Sequence, residues 1–370
     1  MKIDLKREEQ TKLDAVIEQS HMNIETSELQ NSFIDDNYDA IDEKLINEAR
    51  ANEGYLEEEA FKKLFLSYLE LDESDPLVQD MEKLTKFDRF SLLDKKDYIS
   101  NPYYKNIKDI GINDGKYKLL INTFKPYEAF SYDQTKGRRE NNYAEVTPFG
   151  FFNEEVSYLA LVENNTVWMS ITPYEINTMK KAIANAHGKV MTFGLGLGYF
   201  AFMASEKEDV EKVTVVESEK KVIDLFTKHL LPQFPHKEKI EIIKGDAFNK
   251  MDLAKEYDDL FIDIYHTADD ALPLYLKFKR KASKMKLAIN IDYWIEESIL
   301  AKLRRYVIAI IEEYLDGYTD DDYQNVESEN DYLFKVIHDS LNGFEAKSYA
   351  EIENLLSDDG LRKLAEVIKF

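Results

Sequence analysis

Two patterns of apolar and polar positions alternate along the chain after residue 188. Short apolar runs are separated by longer amphipathic stretches, as in strands that alternate with helices. The predicted strands are 190–193, 213–217, 240–244, 260–264 and 287–291, and the predicted helices are 199–207, 219–230 and 272–283. Repeated strand–helix alternation implies right-handed crossovers, so the sequence predicts an α/β fold with a doubly wound, mostly parallel sheet.

The rest of the chain divides into segments of different character. Residues 1–112 are acidic and helical in pattern, and within 57–70 Phe61, Leu64, Phe65 and Tyr68 fall on one helix face. The expected segments are a helical N-terminal region at 1–112, a small β-rich unit at 113–171, a Rossmann-like domain at 172–315 and a helical C-terminal extension at 316–370. Within the β-rich unit, strands are predicted at 116–123, 127–132, 156–162 and 166–171, with Asn164-Asn165 as a hairpin turn.

A helix start precedes the alternating region. Thr172 offers an N-cap, Pro173 the first helical position and Glu175 the third, which is the pattern of a capping box. Thr172 and Glu175 are therefore assigned to the helix start rather than to a ligand. Gly188 is assigned as the stop of this helix.

Composition narrows the class of protein. The chain has 370 residues and no cysteine, which excludes disulfides, a thiolate nucleophile and Cys-based zinc sites and favours a cytoplasmic location. The formal charge of −24 argues against nucleic acid as a partner. No apolar run reaches the roughly 20 residues of a membrane span. The histidines lack metal-ligand spacing, so no metal is expected.

A glycine-rich turn follows the first predicted strand. Phe193 ends that strand, and Gly194, Leu195, Gly196 and Gly198 form the turn before the next helix. Glycines there let the main chain bend and approach a ligand closely.

Three acids follow the next three strands. Glu217 ends the second strand, Asp246 follows the third and Asp263 lies near the end of the fourth. An acid in the position of Glu217 can accept hydrogen bonds from ribose hydroxyls, and open α/β sheets bind ligands at the carboxyl ends of their strands. Together the glycines and acids predict a nucleoside site.

The glycine run resembles motif I of the class I S-adenosylmethionine-dependent methyltransferases. A dinucleotide site expects glycine or alanine where Tyr199 stands. The resemblance implies S-adenosylmethionine as the cofactor. It would be bound by Phe193, Gly194, Leu195, Gly196, Gly198, Glu217, Ser218, Asp246, Ala247 and Asp263, with Glu217 at the ribose and Asp246 and Ala247 at the adenine.

Residues 210–217 and 240–248, together with the preceding β-rich unit, resemble the spermidine-synthase-like branch of this superfamily. The chain departs from that branch at Leu197, where the family has an aspartate, and after Asp263, where Ile264-Tyr265-His266 replaces the family pattern. Thr192 stands where many methyltransferases have an acid. Methyl transfer is therefore the favoured activity, and aminopropyl transfer is the alternative.

The candidate catalytic residues are Asp263, Tyr265 and His266, which follow the fourth strand. Histidine is the residue type that most often serves as a base near neutral pH, so His266 could act as a base, or it could cap the following helix or face solvent. Asn290, Asp292, Tyr293 and Trp294 could line the acceptor pocket, although Tyr293 and Trp294 could instead be buried at a domain contact. Trp168, Ser170 and Tyr174 could close over the ligand. The expected function is methyl transfer to a small molecule or a protein, with a non-catalytic nucleoside-binding scaffold as a further alternative and homodimerisation as an open possibility.

Overall fold

The computed structural model describes residues 1–108, 111–114, 117–164, 166–319, 323 and 326–370. Its strands are β1 Lys2–Ile3, β2 Phe90–Leu92, β3 Ile112–Asp114, β4 Tyr117–Phe124, β5 Phe130–Ser131, β6 Lys136–Arg138, β7 Ala144–Val146, β8 Phe149–Phe151, β9 Val156–Glu163, β10 Thr166–Ser170, β11 Gly188–Phe193, β12 Val210–Glu217, β13 Ile240–Lys244, β14 Asp259–Ile262, β15 Asn290–Tyr293 and β16 Glu345–Ala346.

The helices of the described residues are α1 Arg7–Asn37, α2 Glu43–Glu53, α3 Glu57–Tyr68, α4 Pro76–Thr85, α5 Lys95–Ile99, α6 Pro102–Asn106, α7 Pro173–Asn185, α8 Tyr199–Ser205, α9 Lys220–Leu225, α10 Ala247–Lys250, α11 Ala268–Met285, α12 Glu296–Leu315, α13 Glu329–Ser340, α14 Tyr349–Leu356 and α15 Asp358–Val367. None of them combines the length and the apolar composition that crossing a membrane requires.

The central sheet is parallel throughout and has the strand order β13-β12-β11-β14-β15. This order confirms the predicted Rossmann-like, doubly wound α/β fold. β11 lies in the middle, and Val190 pairs with Val213 on one side and Asp259 on the other. The strand order reverses at β11, so a crevice forms beyond its carboxyl end, between β11 and the next strand in the sheet, β14.

Three details of the alternating region differ from prediction. α9 stops at Leu225 and continues as one turn of π-helix over Phe226–Leu230. The last strand is Asn290–Tyr293 rather than 287–291, because α11 runs to Met285 and ends in a left-handed turn at Lys286. Gly188 begins β11 and does not cap α7, which already ends at Asn185.

The largest sheet of the β-rich unit is antiparallel and has the order β10-β9-β4-β3. The same part of the chain also contributes strands to two smaller sheets, of orders β2-β8-β5 and β6-β7. The predicted hairpin of β9 and β10 is present, with Thr166 paired to Glu163, while Asn165 of the predicted turn and Lys116 of the predicted first strand lie outside the described residues. The predicted strand 127–132 is wrong over most of its length. Tyr127 has a φ of 63°, which breaks extended structure, and only Phe130–Ser131 pair.

The N-terminal region begins with α1, which has 31 residues and was not predicted as an element. Its buried face is polar: Asn23 donates to the carbonyl of Tyr143 at 3.0 Å, and Gln30 donates to the carbonyl of Phe87 at 2.8 Å. β1 pairs in parallel with β16, so Lys2 and Ile3 lie against the segment that precedes α14. In α3 the predicted face is buried at Phe61 and Phe65, but Tyr68 is 43% exposed.

Candidate functional site

A cavity of about 540 Å³ opens beyond the carboxyl ends of the central strands. This volume falls in the range of sites for small ligands and cofactors. Most of the predicted cofactor-binding residues line it, namely Gly194, Leu195, Gly196, Glu217, Ser218, Asp246, Ala247 and Asp263, together with the predicted catalytic residues Tyr265 and His266.

Two predicted cofactor-binding residues lie outside the cavity wall. Phe193 is fully buried, with its ring 5.9 Å from that of Phe278. Gly198 begins α8 and lies against the ring of Phe226, where an added Cβ would be 2.2 Å from a ring carbon. Phe193 and Gly198 therefore serve the packing around the turn and do not face the cavity.

The glycine turn leaves its main chain open to the cavity. A Cβ on Gly194, whose φ is 95°, would lie 1.7 Å from the carbonyl oxygen of Asp263, so this position requires glycine for the contact between β11 and β14. A Cβ on Gly196, whose φ is 52°, would meet nothing closer than the Met169 sulfur at 3.8 Å. Gly196 is thus the glycine that exposes bare backbone to a ligand.

The N-terminal region supports this turn. The hydroxyl of Tyr103 in α6 donates to the carbonyl of Leu197 at 2.7 Å, and the side-chain amide of Asn101 donates to the Tyr199 hydroxyl at 2.8 Å. Tyr103 is buried, so these contacts are shielded from water. The N-terminal region, whose sequence predicts no site residue, therefore holds the glycine turn in place.

Glu217 joins the end of β12 to the glycine turn. Its carboxylate accepts hydrogen bonds from the main-chain N–H of Leu195 at 3.1 Å and of Glu219 at 2.7 Å. The Ser218 hydroxyl lies 3.4 Å from the same carboxylate. A carboxylate offers about four acceptor positions, so Glu217 retains capacity for the hydroxyls of a ribose.

Asp246 and Ala247 form the wall after β13. Asp246 caps α10 by accepting from the N–H of Asn249 at 2.9 Å, and Ala247 is buried beside it. Phe248 stacks on Phe278, with ring centroids 4.0 Å apart. Ala247 and Phe248 thus give this part of the cavity wall an apolar surface, with Asp246 beside it.

Asp263 and Glu175 are the two wall carboxylates that have no hydrogen bond or ion pair with any described residue. Burial, together with the charge of Glu217, raises the pKa of Asp263 to about 7. Burial and the charge of Asp263 raise the pKa of Glu175 well above its ordinary value. Such a pair is stabilised when a cation enters.

Sequence reasoning missed Glu175, and the predicted capping box of Thr172 and Glu175 is wrong. The Thr172 hydroxyl makes no capping hydrogen bond, and Glu175 lines the cavity instead. One signal in the sequence pointed to this placement. Glu175 precedes Met179 by four residues and Ala182 by seven, so it falls on the buried stripe of α7.

The catalytic candidates occupy different parts of the cavity. The Tyr265 hydroxyl donates to the carbonyl of Trp294 at 2.7 Å, and burial raises the pKa of Tyr265 well above its usual value. His266 is exposed at the cavity edge, and its imidazole forms no hydrogen bond with the described residues. Thr267, not His266, caps α11.

Some of the residues predicted to line the acceptor pocket or to close over the ligand reach the cavity, and others do not. Trp168, Ser170 and Trp294 line it. Four others lie elsewhere: Tyr174 packs edge-on against Trp294, Tyr293 is buried beside Tyr275, and Asn290 hydrogen-bonds to Asp292 at the strand edge.

The wall is strongly acidic. It contains five carboxylates, and none of its residues in the described chain is lysine or arginine; the carboxylates are Glu175, Glu217, Glu219, Asp246 and Asp263. Focused negative potential in a partly enclosed cleft attracts cations and repels anions. The site is therefore suited to a ligand that carries positive charge.

A sheet of this order, with a glycine turn after its central strand and an acid after each of the next three strands, is a class I S-adenosylmethionine-dependent methyltransferase-like fold. The predicted resemblance is confirmed at the level of the fold. No protein-family model and no curated protein matches the sequence.

Solved structures are similar to parts of this chain. A Klebsiella pneumoniae protein described as an O-methyltransferase is 16% identical over 26% of this chain and 44% of its own, with a TM-score of 0.21. A Streptococcus mutans protein described as a SAM-dependent methyltransferase is 17% identical over 35% and 36%, with a TM-score of 0.25. Spermidine synthase from Thermotoga maritima is 15% identical over 49% and 71%, with a TM-score of 0.27. This chain spans less than half the length of the first two proteins.

Proposed function

We propose that this protein binds S-adenosylmethionine and transfers its methyl group to a small-molecule or protein acceptor. The observation that carries the proposal is the meeting of Gly196, Glu217 and Asp246 around one cavity at the switch point of the sheet. An adenosine is bound by exposed main chain, by an acid that accepts from the ribose hydroxyls, and by an apolar wall with an acid beside it.

The residues fit the proposed ligand in charge as well as in shape. S-adenosylmethionine supplies a methyl group on a positively charged sulfur. In the proposal, Glu217 and Ser218 hold the ribose, Asp246 and Ala247 hold the adenine, and the main chain from Gly194 to Gly196 supports the centre of the ligand. The carboxylate of Asp263, which has no partner among the described residues, lies where it can stabilise positive charge.

Transfer from a sulfonium is a direct displacement, so alignment of donor and acceptor dominates and proton removal is added where the acceptor needs it. His266 is proposed as the base, because its imidazole is exposed at the cavity edge and unengaged by described residues. Tyr265 is proposed as a positioning residue, because its hydroxyl holds the main chain at Trp294.

Calorimetric titration with S-adenosylmethionine tests this proposal. Glu217→Gln removes the charge at similar shape, and a lost charge-assisted hydrogen bond weakens binding by about ten- to a hundred-fold. The matched control is Glu208→Gln, an exposed residue that does not line the cavity. No heat of binding with millimolar donor would refute the proposal. Binding without methylated product across a broad acceptor panel would instead favour a non-catalytic nucleoside-binding scaffold.

Aminopropyl transfer is the second candidate, and the acidity of the wall favours it. The carboxylate of S-adenosylmethionine finds no lysine or arginine among the described wall residues, whereas the decarboxylated donor brings only positive charge. The two donors can be compared by titration, followed by turnover with a diamine. Tighter binding of the decarboxylated donor together with aminopropylated product would select this function over methyl transfer.

A further inference from the structure

The acidic groups of the cavity form a row across the sheet. Asp246 follows β13, Glu217 ends β12, Asp263 follows β14, and Glu175 lies in the first turn of α7, which leads into β11. The start of α7 lies beyond β14, because Tyr174 packs edge-on against Trp294 and the Trp294 ring N–H donates to the Thr178 hydroxyl at 2.8 Å. Trp294 follows β15, the strand next to β14 at the edge of the sheet. The row therefore runs from the adenine side of the cavity to Glu175 at its other end.

Three members of the wall are already used by the fold. Glu217 accepts from Leu195 and Glu219, Asp246 caps α10, and Glu219 caps α9 by accepting from the N–H of Lys221 at 3.1 Å. The carboxylates of Glu175 and Asp263 accept from no described residue. Glu175 is half-buried in the cavity wall, where a carboxylate without a partner is costly, and α7 does not need Glu175 for its cap. A ligand group that binds the Glu175 carboxylate would explain the position of Glu175 in the wall.

The row of carboxylates indicates that this ligand group carries positive charge. An adenosyl ligand that places its base at Asp246 and its ribose at Glu217 extends past Asp263, so its tail reaches Glu175. We infer, on the basis of the proposed function, that Glu175 binds the primary ammonium group at the tail of the donor. Glu175 thus distinguishes ligands with a charged amino tail from neutral nucleosides.

Two nucleoside ligands separate this role from a general effect on the cavity. S-adenosylhomocysteine carries the amino tail, whereas 5′-methylthioadenosine has the same nucleoside and a neutral thioether without the tail. Dissociation constants are measured by calorimetry for wild type, Glu175→Gln and the matched control Glu208→Gln. Glu175→Gln is expected to raise the dissociation constant of S-adenosylhomocysteine by about ten- to a hundred-fold. The dissociation constant of 5′-methylthioadenosine is expected to change by less than about twofold.

If Glu175→Gln weakened the binding of both ligands equally, or of neither, the role of Glu175 would be overturned and the nucleoside site would remain. Failure of both ligands to bind wild type would overturn the proposed function and this inference with it. Glu175→Asp, which keeps the charge on a shorter side chain, is expected to recover part of the affinity for S-adenosylhomocysteine. No recovery would show that shape rather than charge matters at this position.

Discussion

Replacement of Asp263 by asparagine is expected to stabilise the ligand-free protein at neutral pH. Burial and the charge of Glu217 raise the pKa of Asp263 from 3.8 to about 7. Below pH 3.8 this carboxyl is protonated in both the folded and the unfolded chain, so it costs the wild type no stability. As the pH rises from 3.8 to about 7, the unfolded chain ionises before the folded chain, and the free energy of unfolding of the wild type falls. Over the whole shift the loss is at most about 4 kcal/mol, at roughly 1.4 kcal/mol per pKa unit.

The accessible part of this effect lies between pH 5.5 and 8.5. From pH 5.5 to about 7 the unfolded chain is ionised at this residue and the folded chain is not, so the difference between Asp263→Asn and wild type should grow by about 2 kcal/mol. Equilibrium unfolding in urea at several pH values measures the difference. Asp80→Asn, an identical change on the exposed face of α4, is the control.

A constant difference between Asp263→Asn and wild type over this range would refute the reasoning. The same conclusion would follow if Asp80→Asn produced an equal slope. Either result would mean that Asp263 is solvated in the ligand-free protein, and the account of an acidic site awaiting a cation would lose its main energetic support.

Three further outcomes are expected. Gly194→Ala should destabilise the protein by at least about 2 kcal/mol more than Gly196→Ala in urea unfolding, because only the first Cβ meets a main-chain carbonyl. His266→Ala should lower kcat by about a hundred-fold or more with an unchanged Kd for the donor, as loss of a general base does; a changed Kd would place His266 in the donor site. Donor affinity should fall by up to about tenfold per pH unit below pH 7 as Asp263 is protonated, and calorimetry of Asp263→Asn should show a flatter profile.

The central sheet was predictable because its strands are covered on both faces. β11 and β12 read as apolar runs, and the turns and amphipathic helices between them carry clear local signals. Strand limits were less accurate at β15, since the turn at Lys286 follows from the length of α11 and not from a local pattern.

Elements held by distant contacts could not be predicted in this way. α1 buries Gln19, Asn23 and Gln30, and these residues resemble a solvated face in the sequence. The Asn23 side chain can be buried because the main chain at Tyr143 and Glu145, about 120 residues away, supplies its hydrogen-bond partners. Hydrophobic periodicity contains no information about such pairing.

The site shows the same limit at Glu175. Thr172, Pro173 and Glu175 satisfy a local helix-start pattern, so a local explanation was sufficient until the cavity was known. The glycine turn and the acids after the strands were predictable because strand order fixes where carboxyl ends meet. The contribution of α7 depends on how that helix packs over the sheet.

The most direct test is a crystal structure with S-adenosylhomocysteine bound. The account predicts the ribose hydroxyls within hydrogen-bond distance of Glu217, the adenine beside Asp246 and Ala247, and the amino group at Glu175. A ligand bound outside this cavity, or an adenosine turned away from Glu217 and Asp246, would contradict it.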